Sequence, residues 1–124
     1  MLICFDDFRV DSSSPIYLQI ILFLKRGMVS GRIAHGDALP SRRNLSALLG
    51  VNPNTIQKAY HLLEEEGLIA SQSGAKSVVV LEPENLQRIR AELLEGDITG
   101  FVAALKQAGL SKEDALALIA SRWQ

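Results

Sequence analysis

Leu49-Gly-Val-Asn-Pro-Asn-Thr-Ile-Gln-Lys-Ala-Tyr60 is the stretch on which the reading of this chain turns. One helix ends and another begins inside it. Gly50 follows Leu45, Leu48 and Leu49, the apolar positions of a helix, and a glycine at that point supplies the left-handed residue that closes one. Two residues on, Asn52 is a side chain that accepts from the free N–H groups of a first helical turn, and Pro53 has its φ preset for the first helical position. Ile56, Ala59, Tyr60 and Leu63 then recur at i, i+3, i+4 and i+7, which buries one face of the new helix. Asn54, Gln57, Lys58 and His61 fall on the opposite face.

Working outward, the helix before Gly50 starts at Leu39-Pro-Ser41, with Ser41 as its cap. Upstream, Ser14 reads as the cap and Pro15 as the first residue of a helix running to about Ser30. Ile16, Ile20, Phe23 and Leu24 form one stripe on it, and Leu18, Ile21 and Leu22 fill much of the rest. A helix apolar on most sides is buried on most sides, so its second side is expected to face another subunit. Gly31 and Gly36 bracket the turn that follows. Residues 1–11 read as a short strand or arm with Leu2, Cys4, Phe8 and Val10 on one side.

Downstream, the helix from Pro53 ends at Gly67 after Glu64-Glu65-Glu66, read as a solvated helix end. Leu68–Ser71 and Ser77–Leu81 read as two strands joined by Gln72-Ser-Gly-Ala-Lys76. From Glu82 the pattern is helical again. One helix is expected from Pro83 to about Glu95, stopped by Gly96. A second is expected from Asp97 to Gly109, and a third, capped by Ser111, with Leu116, Ile119, Ala120 and Trp123 on its inner face. The fold class is mainly α with a small β-hairpin. Residues 1–81 form an arm and a winged helix-turn-helix, and residues 82–124 a short helical tail.

Composition narrows the function. The chain has 124 residues, too few for a barrel enzyme or a full dinucleotide-binding fold. It is 48% hydrophobic and 22% charged, an ordinary globular balance. Its one cysteine, Cys4, allows no internal disulfide and points to a reducing, cytoplasmic compartment; in the arm it reads as a small apolar residue rather than a redox sensor. No apolar run approaches the roughly 20 residues of a bilayer span, so no membrane partner is expected. There is no nucleophile elbow, phosphate loop or paired-carboxylate arrangement, and neither His35 nor His61 has an acidic or cysteine partner at ligand spacing. Neither an enzyme nor a metal or other cofactor is expected.

Net charge is −1, but it is unevenly spread. From Pro15 to Leu63 there are six basic residues (Lys25, Arg26, Arg32, Arg42, Arg43, Lys58) and one acidic, Asp37. From Glu82 onward there are five basic and seven acidic. The positive footprint therefore falls on the helix-turn-helix. Asn and Gln side chains pair bidentately with adenine edges, and Lys and Arg meet phosphate or guanine. Double-stranded DNA is the expected partner.

Leu39-Pro-Ser-Arg-Arg-Asn-Leu45, Leu49-Gly-Val-Asn-Pro-Asn-Thr-Ile-Gln-Lys-Ala-Tyr60 and Glu65-Glu-Gly-Leu-Ile69 resemble the DNA-binding domain of GntR-type bacterial transcription regulators. Pro15-Ile-Tyr-Leu-Gln-Ile20 and Gly36-Asp37 fit the same profile. The Asn-Pro-Asn-Thr form and the short tail are similar to the YtrA subgroup. The resemblance implies DNA contacts at Arg43 of the Pro-Ser-x-Arg motif, at Asn52, Asn54, Thr55 and Gln57, and at Gly74 on the wing tip. With the charge pattern, the expected DNA-binding set is Ser41, Arg42, Arg43, Asn52, Asn54, Thr55, Gln57, Lys58, Gly74 and Lys76. Arg42 and Lys58 are assigned to phosphates, and Gly74 and Lys76 to the minor groove. The expected protein is a homodimeric repressor on a near-palindromic operator. The tail leaves room for a small-molecule effector of unassigned identity only at a dimer interface. The competing reading is a winged helix used for protein–protein contacts, with the first helix and the tail as its surfaces.

Overall fold

The elements of the computed structural model, which describes residues 1–72 and 76–124, are α1 (Ile16–Ser30), α2 (Arg42–Leu49), α3 (Pro53–Glu65), β1 (Ile69–Ser71), β2 (Ser77–Val79), α4 (Pro83–Gln107) and α5 (Lys112–Arg122). They divide into two compact units, Met1–Ile89 and Arg90–Gln124.

In the first unit the boundaries read from the α2–α3 junction hold. The Ser41 hydroxyl accepts from Asn44 N–H at 3.0 Å, and Gly50 ends α2 at φ 68°. The Asn52 carboxamide oxygen accepts from Asn54 N–H at 2.8 Å, and Pro53 opens α3. The predicted α3 face is the core: Ile56, Ala59, Tyr60 and Leu63 are all buried. They meet Ile20, Leu24 and Met28 of α1, Leu45 of α2, Leu68, Ile69 and Val79 of the wing, and Ile89 of α4. Each large aliphatic side chain so buried contributes about 1.5–3 kcal/mol, and α1 and α2 thereby fix α3 from its inner side.

β1 and β2 pair antiparallel, with Ile69 opposite Val79 and Ser71 opposite Ser77. β2 is shorter than the apolar run Ser77–Leu81, because the chain turns away after Val79. Val80 N–H still bonds Leu68 O at 2.9 Å, but Leu81 N–H donates to His35 Nδ1 at 3.0 Å. The sheet is extended on its other edge by single bridges, Val78 to Ala38 and Ala38 to Leu2.

The first eleven residues correct the alternation read from the sequence. Ile3, Phe5 and Phe8 are the buried side chains, whereas Leu2 and Val10 are exposed and so is Cys4. Phe5 and Phe8 lie 5.0 Å and 5.2 Å from the Phe23 ring of α1, centroid to centroid. Three aromatic rings in mutual contact outweigh a two-residue periodicity in a segment with only one bridged residue. The arm thus covers part of the second apolar side of α1 that was expected to face another subunit, and leaves Leu18 and Leu22 exposed. α1 also starts one residue later than read. Pro15 is its boundary residue, and no side chain caps it, so Ser14 is not the cap.

The Glu64–Glu66 run is not simply solvated. Glu66 lies 2.9 Å from Lys25 Nζ, Glu64 accepts from the Ser71 hydroxyl at 3.1 Å, and Glu65 lies 3.2 Å from His61 Nε2. That last pair, at i and i+4, corrects the expectation that His61 lacks an acidic partner. Among the described residues no group of three or more His, Cys, Asp or Glu could hold a metal ion.

The tail departs most from the reading. α4 runs through Gly96 without a break, because a glycine in helical φ lowers helix stability by only about 1 kcal/mol relative to alanine and ends nothing by itself. In the second unit α4 ends at Gln107 and α5 starts at Lys112, and between them Gly109 turns the chain at φ 82°. Ser111 caps α5 as expected, its hydroxyl accepting from Asp114 N–H at 3.1 Å. The expected inner face of α5 is only partly covered: Ile119 is half-buried and Ala120 is exposed. Leu116 is 55% exposed and Trp123 83%, because no other element among the described residues covers them. Among the described residues no helix is long and apolar enough to cross a membrane.

Candidate nucleic-acid interface

The outward face of α3 is where the sequence put it. Asn54, Gln57, Lys58 and His61 are exposed, and Thr55 is half-buried. The cap geometry of Asn52 and the proline at the first helical position leave the first turn of α3 facing solvent, the arrangement in which a helix N-terminus attracts phosphate oxygens. Asn52 is exposed too, although its carboxamide oxygen is committed to Asn54 N–H. Ser41 is half-buried, and its hydroxyl is likewise engaged in capping α2. Arg43, on the first turn of α2, is exposed.

Two cations in this region sit on aromatic faces. Lys58 Nζ lies 4.0 Å from the centroid of the Tyr17 ring of α1. The Arg42 guanidinium lies 5.4 Å from the centroid of Tyr60, whose hydroxyl donates to Pro40 O at 2.8 Å. Each contact joins two helices, so no spacing along the chain announces it. Tyr17 and Tyr60 were legible only as apolar positions. Burial pushes the Tyr60 phenol pKa far above its ordinary value, and the adjacent Arg42 charge opposes this only in part. The ring is therefore a neutral, fixed platform.

On the wing, Lys76 is exposed, and its carbonyl accepts from Gln72 N–H at 2.8 Å. Gly74 lies outside the described residues. The base of the wing is held by Ser77 O and Val79 N–H, which bond Leu39 N–H and Asp37 O at 2.9 Å and 2.8 Å. The start of α2 and the wing are thereby braced together.

Two helices joined through Gly50, the second presenting a polar outer face, followed by an antiparallel hairpin, define a winged helix-turn-helix. The chain belongs to the gntR family of bacterial regulatory proteins, whose profile matches residues 16–79. It is similar to the uncharacterized HTH-type transcriptional regulator YhcF of Bacillus subtilis, with 34% identity over 110 residues, 89% of this chain and 91% of that one. It is also similar to the HTH-type transcriptional repressor YtrA of the same organism, with 38% identity over 96 residues, 77% of this chain and 69% of that one. Among solved structures it resembles a GntR family transcriptional regulator from Listeria monocytogenes, with 30% identity and a TM-score of 0.79 over 92% of this chain and 100% of that one. It further resembles AraR(DBD) in complex with operator ORE1, with 27% identity and a TM-score of 0.50 over 58% of this chain and 90% of that one. These relatives are transcriptional regulators and not enzymes, and the chain is a GntR-family regulator similar to YtrA.

Proposed function

We propose that this regulator is a homodimeric repressor that binds a near-palindromic operator in the cytoplasm, with residues 1–81 as the DNA-binding part and residues 82–124 as the dimerisation tail. The observation that carries the reading is the α3 surface. Asn54, Gln57 and Lys58 face solvent on a helix whose opposite side is wholly occupied by the core, beside the exposed Arg43. In this reading α3 enters the major groove. Arg43, Asn54 and Gln57 meet base edges, and Asn52, Thr55 and Ser41 support the approach of the two helix N-termini to phosphates. Lys58 neutralises a phosphate, and Lys76, with Gly74, meets the minor groove. The operator complex of the similar AraR domain supports DNA as the ligand.

The dimer is supported by the tail. Ile98, Phe101, Val102 and Leu116 are exposed around an apolar cavity of about 540 Å³ between the end of α4 and α5. A patch of this kind is rarely left open to water. Two half-sites about one helical turn apart then match two copies of α3. An effector, where one acts, binds at that tail interface.

The test is a mobility shift with the DNA upstream of the chain's own gene, alongside sizing of the free protein. The expected result is a discrete complex, dimeric free protein, and affinity that falls steeply with salt. A flat salt response, or no complex at low salt, favours use of the winged helix for protein contacts instead.

A further inference from the structure

Charge pattern alone gives Arg42 and Arg43 the same task, yet the structure treats the two neighbours differently. Arg43 is exposed, whereas Arg42 is half-buried with its guanidinium over the Tyr60 ring. Its Nε is out of contact with water and has no hydrogen-bond partner among the described residues. A buried donor without a partner is costly. So is a cation on the first turn of a helix, where the macrodipole is positive. Rotation toward water would give Nε a partner, so an arginine that stays over the ring is held by its contact with it.

The ring is itself tied to the same place. The Tyr60 hydroxyl donates to Pro40 O at 2.8 Å, one residue before the Ser41 cap. Pro40, Arg42 and Tyr60 thus form one clamp between the start of α2 and the middle of α3. Tyr60 follows Gln57 and Lys58 within one turn of α3, so the clamp acts close to the residues on its outer face. Base-edge hydrogen bonds tolerate errors of only about 0.5 Å, whereas a phosphate contact is less demanding in position.

We propose that Arg42 is a positioning residue: it acts through Tyr60 to hold α3 at the attitude that base readout requires, and it neutralises no phosphate. The inference rests on the DNA-binding reading above. Lys58 supplies the contrast, since it also lies over a tyrosine but remains exposed.

The experiment uses the full chain and two duplexes of equal length: one selected from a randomised pool by the unmodified protein, the other of random sequence. Affinities are measured from about 50 to 200 mM salt. Arg42→Ala and Arg42→Lys should each lose about tenfold on the selected duplex and less than twofold on the random one. The slope of log affinity against log salt should stay unchanged. Lys58→Ala should weaken both duplexes and flatten that slope by about one. The Arg42→Lys result decides between the roles, because lysine keeps the charge but not the planar stack.

A flattened slope for Arg42→Ala, equal losses on both duplexes, or wild-type behaviour of Arg42→Lys overturns the proposal. If the unmodified protein selects no sequence, the sequence-specific reading fails and the proposal with it, a result read before any variant is made. Should circular dichroism show Arg42→Ala unfolded, Tyr60→Phe keeps the ring and removes only the Pro40 bond. It should lose discrimination in the same direction, and unchanged discrimination counts against the clamp.

Discussion

Lys25 Nζ lies 2.9 Å from the Glu66 carboxylate, with the lysine side chain only 14% exposed. The contact joins the middle of α1 to the end of α3, and Arg88 adds a hydrogen bond from Nη2 to Glu66 O at 3.1 Å. Removing Glu66 leaves a largely dehydrated lysine uncompensated, whereas removing Lys25 leaves Glu66 with Arg88 Nη2 at 3.9 Å. Because Glu66 still reaches water, Lys25→Met should lower stability by about 1–2 kcal/mol, less than for a fully buried pair. Urea unfolding checks this, and Lys25→Met with Glu66→Gln should cost less than the sum of the two single changes.

The two caps make a paired prediction. Asn52→Ala and Ser41→Ala each remove the acceptor of a first-turn N–H and should each cost about 1 kcal/mol, whereas Asn52→Ser should be nearly neutral. Thermal melts of the three variants give the comparison.

Arg43→Ala should weaken binding to the selected duplex by about 1–3 kcal/mol while leaving the melting temperature unchanged, since the side chain is exposed. Fluorescence anisotropy together with a melt separates those two readouts. Unchanged affinity would remove Arg43 from the base-reading set.

Tyr60 sets a limit at alkaline pH. Burial holds its phenol pKa well above the ordinary value of 10.0, so the folded chain keeps a proton that the unfolded chain gives up. The contribution is complete below about pH 10, and stability falls as pH rises beyond it. Urea midpoints at pH 9, 10 and 11 should fall for the natural chain, and the fall should be smaller in Tyr60→Phe.

The tail offers a direct test of assembly. Phe101 is 51% exposed beside Val102 and Leu105. Phe101→Glu places a charge where a second apolar surface is expected and should yield monomers in sedimentation, with a loss of operator affinity of about tenfold or more. Dimers that survive Phe101→Glu would move the interface elsewhere.

Much of the first unit was legible because each signal there has a single physical outcome. Asn52-Pro53 can start α3 but not continue a helix, and the four-residue spacing from Ile56 to Leu63 has only one face to bury. Gly96 was less informative: it resembles Gly50 in the sequence, but only Gly50 takes a left-handed φ. What distinguishes them is whether the chain beyond must turn to reach its packing partner, which is not a local property. The arm failed for the same reason, since the aromatic contacts of Phe5 and Phe8 with Phe23 cross from one segment to another. The polar face of α3 could be read directly. The tyrosines beneath Arg42 and Lys58 could not, because each belongs to a different helix from the cation it carries.

The bridge between Leu2 and Ala38 has a practical corollary. Ile3 N–H and Met1 O bond Ala38 on its two sides at 2.8 Å, and the Met1 ammonium lies 3.4 Å from Asp37. Residues fused directly ahead of Met1 would load the strand edge that Leu2 makes with Ala38, and through Ala38 the Val78 strand of the wing. Gel-shift work on this regulator is best done with amino-terminal handles cleaved off beforehand.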